Sequence, residues 1–270
     1  MDHLLRELAQ VSAAGWTRID AEAAQALKAT LAGRKLVDFK GPQGWAASAV
    51  AIGRSEALDS PGDVAVAGIE ARVRRVLPFV ELRAPFDIRR SELAALDRGA
   101  RDFDAGPAIE AARRIAIAEN QTIFSGCAAA GIHGICAAPA DPPLRLGEAV
   151  DGYPVLIATA VAALRDRGVG GPYAVALSER CYTDLTDATT AGYPVLDHVR
   201  RLVDGPLVWT PGLEGAVVLS VRGGDFELTV GQDISIGYLG HDAEHVRLYI
   251  EESFTFWAIS PLAAAVLAAP

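Results

Sequence analysis

Long strands return at the very end of this chain. From Phe226 the pattern is all strand, first Phe226–Val230 and then residues 234–239 and 246–259, whereas the stretch before them reads mainly as helix. Mixed helix and strand, with long strands contributed last, implies an α+β fold whose first domain is completed by the C-terminal segment. The helical middle is then an insertion. With 270 residues, 51% of them apolar, the chain can bury a sizeable core as one large domain or two smaller ones.

The front of the chain carries two helical patterns, the second over residues 20–31, with Ile19, Ala23, Leu27 and Leu31 at helical spacing and Gly33 to end it. Residues 35–39 alternate like a short strand that Gly41-Pro42-Gln43-Gly44 breaks. Residues 45–75 then hold no strong apolar face, only Ser60-Pro61-Gly62 and scattered β-formers such as Val64, Val66 and Ile69. Such a stretch is either a surface loop or an extended hairpin that finds its partners on a neighbouring subunit. Residues 76–86 alternate as a strand closed by Pro85, and a helix over residues 91–99 takes Ser91 as its cap. The longest periodic segment runs from Pro107 through Ile109, Ala112, Ile115 and Ala118 to Phe124 and is read as the spine of its domain.

Pro139, Pro142 and Pro143 mark a passage into another domain. A helix over residues 155–167, the strand Tyr173–Leu177, a helix near residues 178–185, a helix over 195–203 and strands at 207–210 and 216–221 follow, with residues 186–192 as a polar surface loop between helices. The chain is expected to divide into residues 1–45, 46–75, 76–135, 136–224 and 225–270.

Lys and Arg number 25 against 34 Asp and Glu, and the formal charge of −9 argues against a nucleic-acid binder or a polybasic membrane anchor. Residues 1–8 mix charge with apolar residues and lack a signal-peptide core, and no stretch reaches the ~20 apolar residues of a membrane span, so a soluble cytoplasmic protein is expected. Cys127, Cys136 and Cys181 form neither an even set nor a CxxC pair and are read as buried thiols. His241-Asp242-Ala243-Glu244-His245 reads as a polar turn between strands rather than a zinc site, and Gly168-Val169-Gly170-Gly171 as a helix C-cap rather than a phosphate loop. Glu251 and Glu252, adjacent on a strand, point to opposite faces and are read as solvated or interfacial charges. No catalytic or metal site is expected.

Strings spread over nearly the whole chain carry a resemblance. They are His3-Leu4-Leu5-Arg6-Glu7-Leu8-Ala9, Trp16-Thr17-Arg18-Ile19-Asp20, Leu31-Ala32-Gly33-Arg34-Lys35-Leu36-Val37-Asp38, Gly171-Pro172-Tyr173, Gly192-Tyr193-Pro194, Arg222-Gly223-Gly224-Asp225-Phe226-Glu227-Leu228, Gly231-Gln232-Asp233-Ile234-Ser235-Ile236-Gly237-Tyr238 and Glu252-Ser253-Phe254-Thr255-Phe256. In order and spacing the chain resembles the family 1 encapsulins, also known as linocin or bacteriocin-like proteins, which share the tailed-bacteriophage major capsid protein fold. The resemblance implies a peripheral domain, an extended loop and an inserted axial domain, in a non-enzymatic subunit of an icosahedral homo-oligomer. It also implies a cargo enzyme carrying a C-terminal targeting peptide, usually a dye-decolorising peroxidase or a ferritin-like protein, with chemistry of oxidative stress or iron storage. The cargo groove it implies is formed by Leu27, Leu31, Arg34, Asp38, Ile234, Ile236 and Tyr238, and the five-fold pore loop by Thr186, Asp187, Ala188, Thr189, Thr190, Ala191 and Gly192, where Asp187 would favour cations. Some relatives hold a flavin against a Trp where this chain has Ser91, so no flavin and no other cofactor is expected. The alternatives are a phage capsid subunit packaging DNA, or a hydrolase or bacteriocin-like protein.

Overall fold

The computed structural model describes residues 3–58, 69–137, 141–147, 150–190 and 192–269. Its helices are α1 (Ala13–Thr30), α2 (Arg90–Asp97), α3 (Gly106–Phe124), α4 (Tyr153–Asp166), α5 (Glu179–Asp187) and α6 (Val195–Leu202). The longer strands are β1 (Asp38–Lys40), β2 (Ala49–Ala57), β3 (Arg72–Pro78), β4 (Val80–Arg89), β5 (Tyr173–Leu177), β6 (Leu207–Trp209), β7 (Ala216–Ser220), β8 (Phe226–Val230), β9 (Ser235–His241), β10 (His245–Ala258) and β11 (Ala264–Ala268).

Several sequence expectations shift at their edges for local reasons. The two front helices are one helix preceded by a single 3-10 turn at Arg6–Leu8, because the Ser12 hydroxyl accepts from the Gly15 amide at 3.0 Å and starts α1 at Ala13. Another 3-10 turn, Gly33–Lys35, follows α1 and delays β1 to Asp38. Ser91 is not a cap: α2 begins one residue earlier, after an extended Arg89 with no capping side chain, and the Arg90 amide instead donates to the Glu244 carbonyl at 2.8 Å. The single strand expected over 76–86 is two strands, since the chain changes partners at Phe79. Pro85 lies inside β4, where it is tolerated because, among the described residues, β4 pairs on one side only, with β10.

The first sheet is organised around β10. Antiparallel β4 runs along one side of it from Phe254↔Val80 to His245↔Arg89, while β9 and then β8 run along the other, and β1 extends the sheet parallel to β8. The spine helix α3 packs on β4 and β10, with α1 against α3. Alternation explains the register, since Ala84, Phe86 and Ile88 of β4 are buried with Leu248 and Ile250 of β10 and with Ala108, Ala111, Ala112 and Ile115 of α3.

The second sheet has the order β6, β5, β7, β11 and the two-residue strand Leu144–Arg145. Every residue of β5 and β7 is buried, as expected of apolar strands enclosed by α4, α5 and α6. At the end of α4 the expected cap is present: Gly168 takes φ +75°, and the Gly168 and Val169 amides donate back to Arg165 and Leu164. The last strand differs from expectation. Residues 225–270 do not all return to the first sheet, because β11 pairs with β7 in the second.

The arm over residues 45–75 is a hairpin in its described part. β2 and β3 pair antiparallel from Ala49↔Pro78 to Ala57↔Arg72, with a register shift beside Gly53, which adopts φ +71°. Its expected tip, including Ser60-Pro61-Gly62, Val64 and Val66, lies outside the described residues, as does Pro139.

Candidate functional site

The structure gathers most of the apolar residues expected of the groove around one core. Leu27 on α1 and Ile234 and Tyr238 at β9 are half-buried and pack on a cluster that contains Ile19, Ala23, Ile236 and Ile250. Ile236 itself is only 5% exposed and belongs to that core rather than to an open wall. Leu31 follows, half-buried, at the helix cap, its amide donating to the Leu27 carbonyl. The Tyr238 amide donates to the Leu4 carbonyl at 2.8 Å, so the N-terminal segment lies against β9, and the Tyr238 hydroxyl hydrogen-bonds the His241 Nδ1.

Arg34 and Asp38 are engaged elsewhere. The Arg34 guanidinium donates to Glu119 Oε2 at 2.7 Å, to Asp233 Oδ1 at 2.8 Å and to Glu252 Oε2 at 3.0 Å, and its plane lies 5.2 Å from the Phe39 ring. Burial opposes its charge, but Glu119, Asp233 and Glu252 outweigh that and hold the guanidinium more firmly protonated than usual. Arg34 thus pins the end of α1 to α3, β10 and the approach to β9. Asp38 Oδ2 accepts from the Gly224 amide at 2.6 Å and fixes the turn before β8.

Sequence reasoning missed the buried carboxylates that pair with Arg34 and Arg83. Glu251 and Glu252 are neither solvated nor interfacial within the subunit, with residue exposures of 2% and 0%. They do face opposite ways: Glu251 pairs with Arg83 and His3, and Glu252 with Arg34. The signal was present in the alternation, since Leu248, Ile250, Phe254 and Phe256 are core and Glu252 takes the inward place between them. Glu119 likewise stands on the buried stripe of α3, four residues from both Ile115 and Ile123. Beside it, buried Asn120 accepts from the Ala32 and Gly33 amides at 3.0 and 3.1 Å and donates to the Thr30 and Pro211 carbonyls, both at 3.0 Å. One side chain thereby satisfies the end of α1 and ties it to the loop after β6.

The expected pore loop is only partly a loop. Thr186 and Asp187 are the last residues of α5, which the Ser178 hydroxyl caps by accepting from the Cys181 amide, and the Thr186 hydroxyl donates to the Tyr182 carbonyl. Ala188 follows the helix, Thr189 and Thr190 pair with Tyr193 and Pro194, and Gly192 turns at φ +80°. Ala191 lies outside the described residues. Thr186, Asp187, Thr189, Thr190 and Gly192 are exposed and form a tip. Ser91 borders an open depression with Arg89, Arg90, Glu244 and His245. The 241–245 segment is a polar hairpin turn in which Asp242 Oδ1 accepts from the Glu244 and His245 amides, both at 2.8 Å, and these bonds lower its pKa. Of the three free cysteines only Cys181 is buried; Cys127 and Cys136 are half-exposed. Among the described residues no group of His, Cys, Asp and Glu is arranged to hold a metal ion, and no helix is long and apolar enough to cross a membrane.

Residues 1–255 match the Linocin_M18 family, described as encapsulating protein for peroxidase. The chain belongs to that family, the encapsulins. Its relatives include the type 1 encapsulin shell protein of Rhodospirillum rubrum, 52% identical over 99% of this chain and 96% of that protein. Another is the type 1 encapsulin shell protein of Mycobacterium tuberculosis, 43% identical over 95% of each chain. As an encapsulin the chain is a structural shell protein and not an enzyme. Its fold is that of phage capsid proteins. A virus-like particle from Pyrococcus furiosus superposes with a TM-score of 0.62 at 14% identity, over 93% of this chain and 98% of that one. The structure titled Gordonia phage Cozz gives 0.56 at 11% identity, over 89% and 87%.

Proposed function

We propose that copies of this chain close into an icosahedral cytoplasmic shell that takes up an enzyme through a C-terminal targeting peptide on that enzyme. The observation that carries this reading is the arm. Among the described residues β2 and β3 pair only with each other, so both outer edges are unpaired, and Leu58, Ile69, Val73 and Val76 are exposed along the hairpin. An isolated two-stranded hairpin is marginal in water, and bare edges invite pairing with another chain. A neighbouring copy of the same arm or sheet supplies both the edge and the apolar contact.

The half-buried row of Leu27, Leu31, Ile234 and Tyr238 suits a short peptide that brings one or two Leu or Ile side chains. The favoured passenger is a peroxidase, since the matched family is described by that cargo, and its chemistry would be protection against oxidative stress. Because Arg34 and Asp38 already hold internal partners, their part in the groove is to fix its floor.

Co-expression with a dye-decolorising peroxidase, with and without its C-terminal extension, tests the cargo reading. Peroxidase is expected to co-sediment with the shells only when the extension is present. Ile234→Asp is expected to lower the captured amount about tenfold or more, because a charge on this apolar wall costs at least ~1.4 kcal/mol of peptide affinity. Tyr238→Ala should lower it less while the shells stay intact. Equal capture without the extension, or undiminished capture by intact Ile234→Asp shells, would contradict the reading.

A further inference from the structure

Beneath the groove, one guanidinium faces three carboxylates. Glu119 from α3 and Glu252 from β10 are each 0% exposed, and both place Oε2 on the same Arg34 Nη2, at 2.7 and 3.0 Å. Asp233, before β9, takes Arg34 Nη1 from the open side and has 45% of its side chain exposed. The remaining oxygens, Glu119 Oε1 and Glu252 Oε1, are both buried and have no hydrogen-bond partner among the described residues. Among the described residues the charges that act on Glu252 are those of Glu119, Arg34 and Asp233. Glu251, next on β10, faces the opposite side with Arg83 and His3; Asn120, next on α3, turns to Thr30, Ala32, Gly33 and Pro211. If every group were ionised, the cluster would carry a net charge of minus two around two fully buried carboxylates.

Two carboxylates crowded in one dry site cannot both hold their charge, and two unpartnered acceptors lack one thing, a proton between them. We propose that Glu119 and Glu252 form a buried proton-binding site, sharing one proton as a carboxylic acid hydrogen-bonded to a carboxylate. Arg34 then neutralises the single remaining negative charge of the pair. Raising the pH releases this proton to solvent and leaves two facing carboxylates at the joint of α1, α3 and β10. The direction of the Glu252 pKa agrees: burial, then the Glu119 charge, raise it well above the ordinary carboxylate value, with Arg34 acting against them.

The folded subunit holds a proton that the unfolded chain has released, so stability from this site is full at acid pH. It is lost as pH rises from the unfolded carboxylate pKa of about 4.3 through the raised folded value. Carboxylates held ionised by a partner give the opposite slope, so the two kinds separate.

The test is infrared difference spectroscopy of the full-length protein, assembled as purified, between neutral and alkaline pH. One carboxylic-acid C=O band per subunit is expected at neutral pH, lost on raising the pH and absent from Glu252→Gln. In unfolding titrations from about pH 5 to about pH 9, Glu252→Gln should flatten the decline and outlast the unmodified chain at the alkaline end, since its amide donates to Glu119 permanently. The infrared band does not depend on the variant folding. Absence of the band at neutral pH, or a folded Glu252→Gln with the band and the slope unchanged, would overturn the proposal. Neither result bears on cargo capture, so this inference and the proposed function fail separately.

Discussion

Arg34→Met is expected to destabilise the subunit by about 3–5 kcal/mol, the range seen when one partner of a buried ion pair is removed and the other charge is stranded. The stranded groups are Glu119 and Glu252, both without access to water. Methionine fills similar volume, so the loss reports charge rather than a cavity. A triple variant, Arg34→Met with Glu119→Gln and Glu252→Gln, is expected to recover much of the loss, because neutral amides need no counter-ion. Asp233→Asn should change stability by less than about 1 kcal/mol, since Asp233 is half-exposed and water screens its pairing. Denaturant midpoints of the four proteins measure all of this. An Arg34→Met midpoint equal to that of Asp233→Asn would show that the cluster contributes nothing special.

Asn120→Leu is expected to be of comparable size through a different mechanism. The amide makes four hydrogen bonds, all to backbone groups, and is itself 0% exposed. Leucine keeps the shape but strands the Ala32 and Gly33 amides and the Thr30 and Pro211 carbonyls, and each buried group left unpaired costs about 1–3 kcal/mol. A total loss above about 3 kcal/mol is expected after partial relaxation, enough to send most of the protein to aggregates at growth temperature. Soluble yield and the chemical unfolding midpoint are the readouts; a shift below about 1 kcal/mol would mean that the α1 terminus finds other partners.

These two residues also show where the sequence was legible. The spine α3 was readable from Pro107 to Phe124 because its small and apolar residues recur at helical spacing, β5 as a bounded apolar run and β8 as a strand of alternating apolar and polar residues. The strand β11 was not, because Ala264, Ala265 and Ala268 have weak strand preference and extend only through pairing with β7 and Leu144–Arg145. Arg34 was singled out as a groove residue, but the partners it holds come from residues 119, 233 and 252, and distances that long in sequence leave no local trace. Glu252 was misjudged because its charge was weighted above its inward place between Ile250 and Phe254. Leu27, Ile234 and Tyr238 pack on one cluster, whereas Ile236 belongs to its buried core.

The arm is the feature on which the account turns, since it is a hairpin with exposed apolar residues and no partner strand among the described residues. Negative-stain electron microscopy of the protein expressed alone tests most directly whether copies of the chain supply that partner. Uniform, hollow, closed particles at micromolar concentration are the predicted result, and monomers or dimers under the same conditions would contradict it.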